Sequence, residues 1–484
     1  MVVIICANQG NSDMLSLQLR LDSNRNTLSF KSVKDGTEYL QNNEVEQVII
    51  SEQSDMTKLL LINQSLSGKI YMVSYQTGQI GFSHKIDNKV AGFFNKYGLT
   101  RMFDPLLSRL LLVWCNILWI FRIRCCFGLL FTSRIGHLIT NTNAFIRIAC
   151  AEGYNRIIGV NVEQAVSSPV IMDMYKRLHI KLYTSDIWWR LITEKKFTTS
   201  KFYKDVIYMR DTLYPEQTLP DKPLEFRWTE EQEKQGQALL KQLGIDTWYV
   251  CIHARDSEYL DKKMTGVDWS YHDFRDADIN TYKEAIHYII SQGGKVVRVN
   301  ISHKTPLTDF EDSDYIDYGA MEGANDFGFI YLISKCKFFI GGATGITEVA
   351  RIFKKPVAMC NWVHYELMTS FRNGDLFIPK KCWVNEFGRY LTLSEILTNG
   401  IGRFIKADQY KNAGIDLEAN TGEEILSLAK EMNEKIDFTW QSSIEERELQ
   451  DKFKAIINQE KYLCNGTGGD IAMSFLRDHK EWGI

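Results

Sequence analysis

The chain has 484 residues, and its 57 lysine and arginine residues nearly balance 60 aspartate and glutamate residues, leaving a net charge of −3. This balance argues against a protein that binds nucleic acid over its whole length, and against an acidic disordered chain. A hydrophobic fraction of 45% is ordinary for a globular protein. The length favours two or three domains. The sequence therefore predicts a folded, multidomain protein with no nucleic-acid partner.

The ten cysteines form no CxxC pair and no Cys/His cluster with zinc-finger spacing. Most stand in apolar runs and are typical of buried thiols in a reducing compartment. The start, MVVIICANQG, lacks the basic region and long apolar stretch of a signal peptide. We therefore expect a cytoplasmic protein.

Residues 1–122 are predicted to form an N-terminal α/β extension. Short apolar runs at Val2–Cys6, Val48–Ser51 and Ile70–Ser74 indicate strands, and no chemical motif accompanies them.

An apolar helix is predicted at Leu110–Phe121, within residues 105–151, a stretch with five arginines and no acidic residue. Twelve helical residues extend about 18 Å, less than the roughly 30 Å hydrocarbon core of a bilayer. Three interpretations remain open: a helix lying on an anionic membrane surface through residues 105–131, a buried core or oligomer contact, or a membrane span. The span would have to bury Arg122 and Arg124, which is energetically unfavourable.

From residue 123 onward, apolar strands alternate with helical segments, which predicts an α/β fold with parallel, doubly wound sheets. In the first block we expect a turn, TSRIGHLITNT, followed by a helix at Asn143–Glu152. Residues 212–234 contain three of the eight prolines and many charges, and they are the best candidate for a domain boundary. A second alternating block follows, so the pattern predicts two Rossmann-like lobes and a charged helical tail.

The most informative motif is a strand that runs into a glycine-rich turn before a helix, at residues 338–350. Such a turn offers backbone N–H groups to a phosphate, and an acidic residue one turn later can accept from ribose hydroxyls. The alternative is a turn that binds nothing, with a threonine capping the helix. The candidate donor-binding residues are Gly341, Gly342, Thr344, Gly345, Thr347 and Glu348.

Two further motifs contribute candidate residues. Arg255 and Asp256 follow an apolar strand, where an arginine suits a diphosphate and the aspartate would orient it, although a structural Arg–Asp pair is the alternative. Arg275 precedes a predicted helix and is a second candidate for the same crevice, while Asp278 or Asn280 would cap that helix. His137 stands in an Arg-Ile-Gly-His-Leu turn and is a candidate general base, although a lone histidine is more often structural.

Together these residues resemble a family of bacterial glycosyltransferases associated with surface-polysaccharide gene clusters. The resemblance is carried by RIGHL, HARD, YHDFRDADINTY, DFGFIYLISKCKFFIGGATGITEVA and the closing SFLRDHKEW, over about residues 123–484. The HARD element is also similar to the His-x-Arg element of fucosyltransferase-like enzymes.

The resemblance implies a GT-B-like architecture. An N-terminal Rossmann-like acceptor lobe would cover residues 123–225, a C-terminal nucleotide-sugar lobe residues 226–415, and C-terminal helices residues 416–484. It implies transfer of a sugar from a nucleotide sugar to a glycan or lipid-linked glycan acceptor, peripherally on the inner face of the cytoplasmic membrane. No cofactor or metal is expected, because no DxD triplet follows an apolar strand. In this scheme His137, Arg255 and Asp256 are the catalytic candidates, and Arg275 joins the donor-binding residues. A sugar-nucleotide epimerase of the same fold and a non-catalytic assembly scaffold remain as alternatives.

Overall fold

The structure is a computed structural model. It describes residues 103–161, 166–178, 180–204, 224–256, 270–300, 305–366, 371–465 and 468–484, together with the backbone of five strands nearer the N-terminus. The chain divides into two compact units, Met1–Leu110 and Leu111–Ile484. Most of the boundary predicted at residues 212–234 lies outside the described residues.

The first unit contains a five-stranded sheet of mostly parallel strands. Its strands run in the order β2-β1-β3-β4-β5, and only the β4–β5 pair is antiparallel. The three predicted strands are confirmed to within two residues at either end, and the sheet contains two more. The bounds are Val2–Ile5 (β1), Thr27–Phe30 (β2), Gln47–Ile50 (β3), Ile70–Gln76 (β4) and Gln79–Lys85 (β5).

A three-stranded parallel sheet, in the order β6-β7-β8, opens the alternating part of the second unit. Its strands are Cys125–Leu130 (β6), Arg156–Asn161 (β7) and Lys181–Thr184 (β8). The helices around it are Asp104–Ile120 (α1), Ile135–Ala151 (α2), Pro169–Arg177 (α3), Asp186–Thr193 (α4) and Lys195–Thr198 (α5).

The prediction of a turn over TSRIGHLITNT was wrong, because α2 already begins at Ile135. Threonine, asparagine and glycine have low helix propensity, which favoured a turn. Tertiary packing overrides that preference: Leu138, Ile139 and Thr142 are buried at helical spacing against the core.

A seven-stranded, wholly parallel sheet dominates the second unit. Its strands are Tyr249–His253 (β9), Lys295–Arg298 (β10), Tyr315–Asp317 (β11), Phe339–Gly341 (β12), Val357–Trp362 (β13), Leu376–Pro379 (β14) and Asp470–Ile471 (β18). Because helices cover both faces of such a sheet, its inner strands β12, β13 and β14 are buried over their whole length. The predicted α/β class with parallel sheets is confirmed.

The strand order is β11-β10-β9-β12-β13-β14-β18, which is the order of a doubly wound Rossmann sheet. The chain first adds β10 and β11 on one side of β9. It then returns to place β12 on the other side. The order therefore reverses between β9 and β12, and this switch point positions the site described below.

Helices connect the strands of this sheet and close the chain. Several begin with reciprocal Ser/Thr–Glu/Gln caps, among them the predicted tail helices at Thr421 and Ser443. They are Glu230–Gln242 (α6), Lys283–Ser291 (α7), Asp326–Lys335 (α8), Thr347–Ile352 (α9), Leu393–Thr398 (α10), Ala407–Asn412 (α11), Gly422–Ile436 (α12), Ile444–Ile457 (α13) and Met473–Asp478 (α14).

The remaining elements are a small antiparallel sheet and short 3-10 helices. The sheet has the order β16-β15-β17 and comprises Lys381–Val384 (β15), Arg389–Tyr390 (β16) and Ile415–Glu418 (β17). The 3-10 helices are Ser270–Arg275, Ile279–Tyr282, Tyr318–Ala320, Ile401–Arg403 and Lys480–Trp482. The side chain of Asp278 caps Ile279–Tyr282, as the sequence predicts.

One buried hydrophobic cluster includes residues of both α2 and the seven-stranded sheet, for example Phe145 and Val250. The three-stranded sheet and the larger sheet are therefore joined by a common core.

Candidate active site

The carboxyl ends of β9 and β12 lie side by side at the switch point. Gly341, the last residue of β12, pairs in register with His253, the last residue of β9. Arg255 follows β9 two residues later, and the glycine-rich loop follows β12 directly. Ligands of doubly wound sheets bind in the crevice outside this point. The two most informative sequence motifs therefore meet where such a fold forms a binding site.

Arg255 is buried, with 7% of its surface exposed. Its guanidinium forms an ion pair with Asp276 and donates a hydrogen bond to the backbone carbonyl of His272 at 3.2 Å. Burial lowers the pKa of Arg255, and the charges of Asp273 and Asp256 oppose that shift. The ion pair is thus with Asp276, whereas Asp256, the predicted orienting residue, acts on Arg255 through its charge.

Arg275 makes no ion pair with any carboxylate in the described part of the chain. Its guanidinium contacts the ring of Phe274 at 5.8 Å, and its Nε is buried with no hydrogen-bond partner. Burial lowers the pKa of Arg275 to about 9, with further contributions from the like charges of Arg255 and Arg134. A half-buried cation with no carboxylate beside it is unfavourable, so this position suits an anion supplied from outside the described residues.

A lysine directly after β14 fixes the turn that carries Arg275. Lys380 Nζ donates to the carbonyl oxygens of Phe274 at 3.0 Å and Asp276 at 2.7 Å. Burial lowers the pKa of Lys380 to about 8, and the charge of Arg255 adds to the effect. We call Arg134, Arg255, Arg275 and Lys380 the basic cluster.

Three histidines surround the basic cluster and are neutral at pH 7. Burial lowers the pKa of His253 to about 3, that of His272 to about 2 and that of His364 to about 3. The neighbouring arginines strengthen each shift, since they oppose a further positive charge. His253 Nδ1 is buried, with no hydrogen-bond partner among the described residues.

The glycine-rich loop is held by its own hydrogen bonds. The amide of Thr344 donates to the Gly342 carbonyl at 2.9 Å, and the Thr347 hydroxyl donates to the same carbonyl at 3.1 Å. Helix α9 begins at Thr347, and no side chain caps its start. At Gly341 an added Cβ would lie 2.7 Å from the Phe339 ring, so only glycine fits there.

Glu348 forms an ion pair with Arg351 inside α9. Arg351 in turn lies 3.8 Å from a carboxylate oxygen of Asp375 and over the ring of Phe371. The carboxylate that the sequence assigns to ribose hydroxyls is therefore already engaged in an ion pair.

The start of α2 touches the glycine-rich loop. A Cβ added to Gly345 would lie 2.7 Å from the backbone nitrogen of Gly136, so the two backbones meet at van der Waals distance. His137, the next residue, is exposed, and its ring lies 6.2 Å from that of Phe131. The structure thus brings the His137 motif, the Arg255 motif and the glycine-rich loop to one crevice.

The sequence interpretation missed His364 and Lys380. Both follow the carboxyl end of a parallel strand, β13 and β14, and that is the signal that identifies them. The strand Leu376–Pro379 was not predicted, so the lysine behind it was not recognised.

Two cavities of the described residues lie away from the basic cluster. The larger has a volume of about 790 Å³ and the smaller about 340 Å³, and residues of α6 line both. Within the described residues, no three or more His, Cys, Asp or Glu side chains are grouped so that they could hold a metal ion.

No family model matches the sequence, and no curated protein does either. Solved structures similar to it include TibC, an iron-containing dodecameric glycosyltransferase of enterotoxigenic E. coli H10407, with 15% identity over 51% of this chain and a TM-score of 0.31. A family 9 glycosyl transferase of Veillonella parvula has 12% identity over 49% of this chain and 80% of its own, with a TM-score of 0.32. E. coli ADP-heptose lps heptosyltransferase II has 10% identity over 48% of this chain and 84% of its own, with a TM-score of 0.29.

This chain spans 60% of the length of TibC. Because all three TM-scores lie below 0.5, these similarities carry no conclusion about fold or activity. The fold class rests on the strand order. The function proposed below rests on the side chains at the switch point.

Proposed function

We propose that this protein is a glycosyltransferase that moves a sugar from a nucleotide-sugar donor to a lipid-linked or polysaccharide acceptor. The observation that carries the proposal is Arg275, a half-buried guanidinium whose Nε is buried and which has no carboxylate partner among the described residues, near Arg255 and the β9–β12 switch point. A diphosphate presents two or more negative charges and pairs of oxygen acceptors. The planar guanidinium of an arginine can donate two parallel hydrogen bonds to such a pair.

We assign donor binding to the basic cluster and the glycine-rich loop. Arg275 and Arg255 would neutralise the diphosphate, while Gly341, Gly342 and Gly345 would allow it to approach the backbone. The bonds of Thr344, Thr347 and Glu348 within the loop and α9 support the shape of that surface.

In the proposed reaction His137 is the general base. Its imidazole accepts the proton of an acceptor hydroxyl, and the hydroxyl oxygen forms a bond to the anomeric carbon of the donor sugar. The bond from that carbon to the diphosphate oxygen breaks, and the nucleoside diphosphate leaves with the electron pair. The basic cluster stabilises the charge that develops on the leaving group. The negative charge of Asp256 would favour the protonated form of Arg255.

A thermal-shift panel of UDP, GDP, CMP and ADP sugars tests donor binding, because a ligand that binds only the folded state raises its melting temperature. The donor that raises it is then incubated with and without a glycan or lipid-linked glycan acceptor, and the products are analysed by mass spectrometry. A glycosylated acceptor supports the proposal. Epimerised free sugar formed without acceptor would identify an epimerase instead. No shift with any nucleotide would favour a non-catalytic scaffold.

A further inference from the structure

Helix α1 is apolar on two opposite faces, only one of which is buried. Cys115 is 1% exposed, and Trp119 and Leu111 pack with it against a hydrophobic cluster that contains Phe127 of β6. This face anchors the helix to the three-stranded sheet.

The second face carries large apolar side chains that are exposed. At 100° per residue they fall on an arc of roughly 140° on the side of the helix away from Cys115. Their exposed fractions range from 42% to 77%, and the residues, with the two that flank the helix, are Phe103, Leu106, Leu107, Leu110, Val113, Trp114, Ile117, Ile120 and Phe121. A contiguous apolar patch of this kind is typical of a surface that contacts another phase or molecule.

Residues 105–151 carry charge of one sign only, and Asp104, the acidic residue at the start of α1, lies just before them and is buried. Arg109, Arg122 and Arg124 are exposed, and no acidic residue occurs in that stretch. A partner that fits this helix must therefore offer an apolar layer to the exposed face and negative charge to the arginines.

We propose that α1 docks this protein on the surface of an anionic phospholipid bilayer, with the helix lying in the plane of the interface. The exposed face would enter the boundary between headgroups and acyl chains, while the arginines meet lipid phosphates. None of the helices in the described part of the chain combines the length and apolar character needed to cross a bilayer. Lying flat buries the same apolar surface without burying Arg122.

A second copy of the chain is a poorer occupant. A two-fold contact through α1 places the same arginines of both copies close together. Residues 105–151 contain no carboxylate to pair with them. An anionic lipid surface supplies the counter-charge that such a dimer lacks.

The test is co-sedimentation of the full chain with vesicles of phosphatidylcholine alone, or mixed about three to one with phosphatidylglycerol. We expect binding to the mixed vesicles that weakens with added salt. The triple variant Leu110→Gln, Trp114→Gln, Ile117→Gln should lose that binding with an unchanged melting temperature, because these side chains are exposed. The matched control, Phe438→Gln with Ile444→Gln, changes two exposed apolar residues elsewhere and should bind as the wild type does.

A second variant, Arg109→Gln with Arg122→Gln, leaves the apolar face intact. At about fivefold per arginine near an anionic surface, it should bind the mixed vesicles roughly 25-fold more weakly. Equal binding by the wild type and the triple variant, or no binding by the wild type, would overturn the proposal. So would a wild-type dimer, measured by light scattering, that the triple variant converts to monomer. Nucleotide-sugar binding is measured separately, so failure of either proposal leaves the other standing.

Discussion

Replacing Arg275 with methionine should stabilise the fold while weakening donor binding. In the folded protein the pKa of Arg275 falls from 12.5 to about 9, mainly through burial. Each unit corresponds to about 1.4 kcal/mol, so holding the cation at pH 7 costs at most about 5 kcal/mol. Relaxation and solvent reduce that penalty, and even a buried ion pair replaced by apolar residues of similar volume is often neutral or gains about 1–4 kcal/mol. We expect an increase of about 1–3 kcal/mol in the free energy of unfolding.

The sign of the pH dependence follows from the lowered pKa. Between about pH 9 and 12.5 the unfolded chain binds a proton at Arg275 that the folded protein has released. The wild-type penalty is therefore complete below pH 9 and decreases as the pH rises through 9. The stability difference between the variant and the wild type should thus be constant from pH 6 to 8.

Two measurements check this prediction. Urea unfolding gives the free-energy difference, and thermal shift with the donor gives the change in affinity. A charged hydrogen bond contributes about 1.5–3 kcal/mol, so the variant should bind the donor at least tenfold more weakly. Arg275→Lys keeps the charge and should retain part of the affinity, while Arg389→Met removes an exposed arginine and should leave donor binding unchanged. A less stable Arg275→Met variant with unaltered donor affinity would refute the reasoning, because Arg275 would then be structural.

Three further predictions follow from the same crevice. His137→Asn should lower kcat about 10²- to 10⁴-fold while keeping the donor-induced thermal shift, and an unchanged kcat would exclude His137 as the base. Gly345→Val forces the new side chain against the backbone of Gly136 and should cost about 1–3 kcal/mol of stability, measured by urea unfolding. Gly342→Ala, whose Cβ meets nothing closer than 3.6 Å, is its control and should be neutral. His253, His272 and His364 protonate in the unfolded chain near pH 6.5 but not in the folded protein, so stability should fall by up to about 4 kcal/mol per pH unit as the pH drops below 6.5. A loss of less than about 1.4 kcal/mol in the free energy of unfolding between pH 6 and 5, measured by urea unfolding, would contradict this.

Much of the secondary structure could be read from local patterns. The buried strands β9 and β12 are continuous apolar runs, and the tail helices begin with caps at Thr421 and Ser443, so each segment specifies its own conformation. The start of α2 could not be read this way. Its threonines and asparagines disfavour a helix, and burial against distant residues decides the outcome.

The motifs of the candidate site were also visible, because an arginine or a glycine turn after an apolar strand is a local signal. Their partners were not visible. Asp276 rather than Asp256 pairs with Arg255, and Lys380 reaches the turn at Phe274 from more than 100 residues away in the chain. Such pairings depend on which strands are neighbours, and strand order is a non-local property.

The sequence by itself determined the α/β class, the arginines and glycines at strand ends, and the apolar, acid-free character of residues 105–151. Only the tertiary structure decided that β12 lies beside β9, that Gly136 meets Gly345, and that one face of α1 is buried while the other is exposed. The physical reason is that hydrophobic periodicity and turn chemistry act within a few residues. The contacts that place Arg275 beside other cations, or that leave one face of α1 exposed, form only when distant segments pack together.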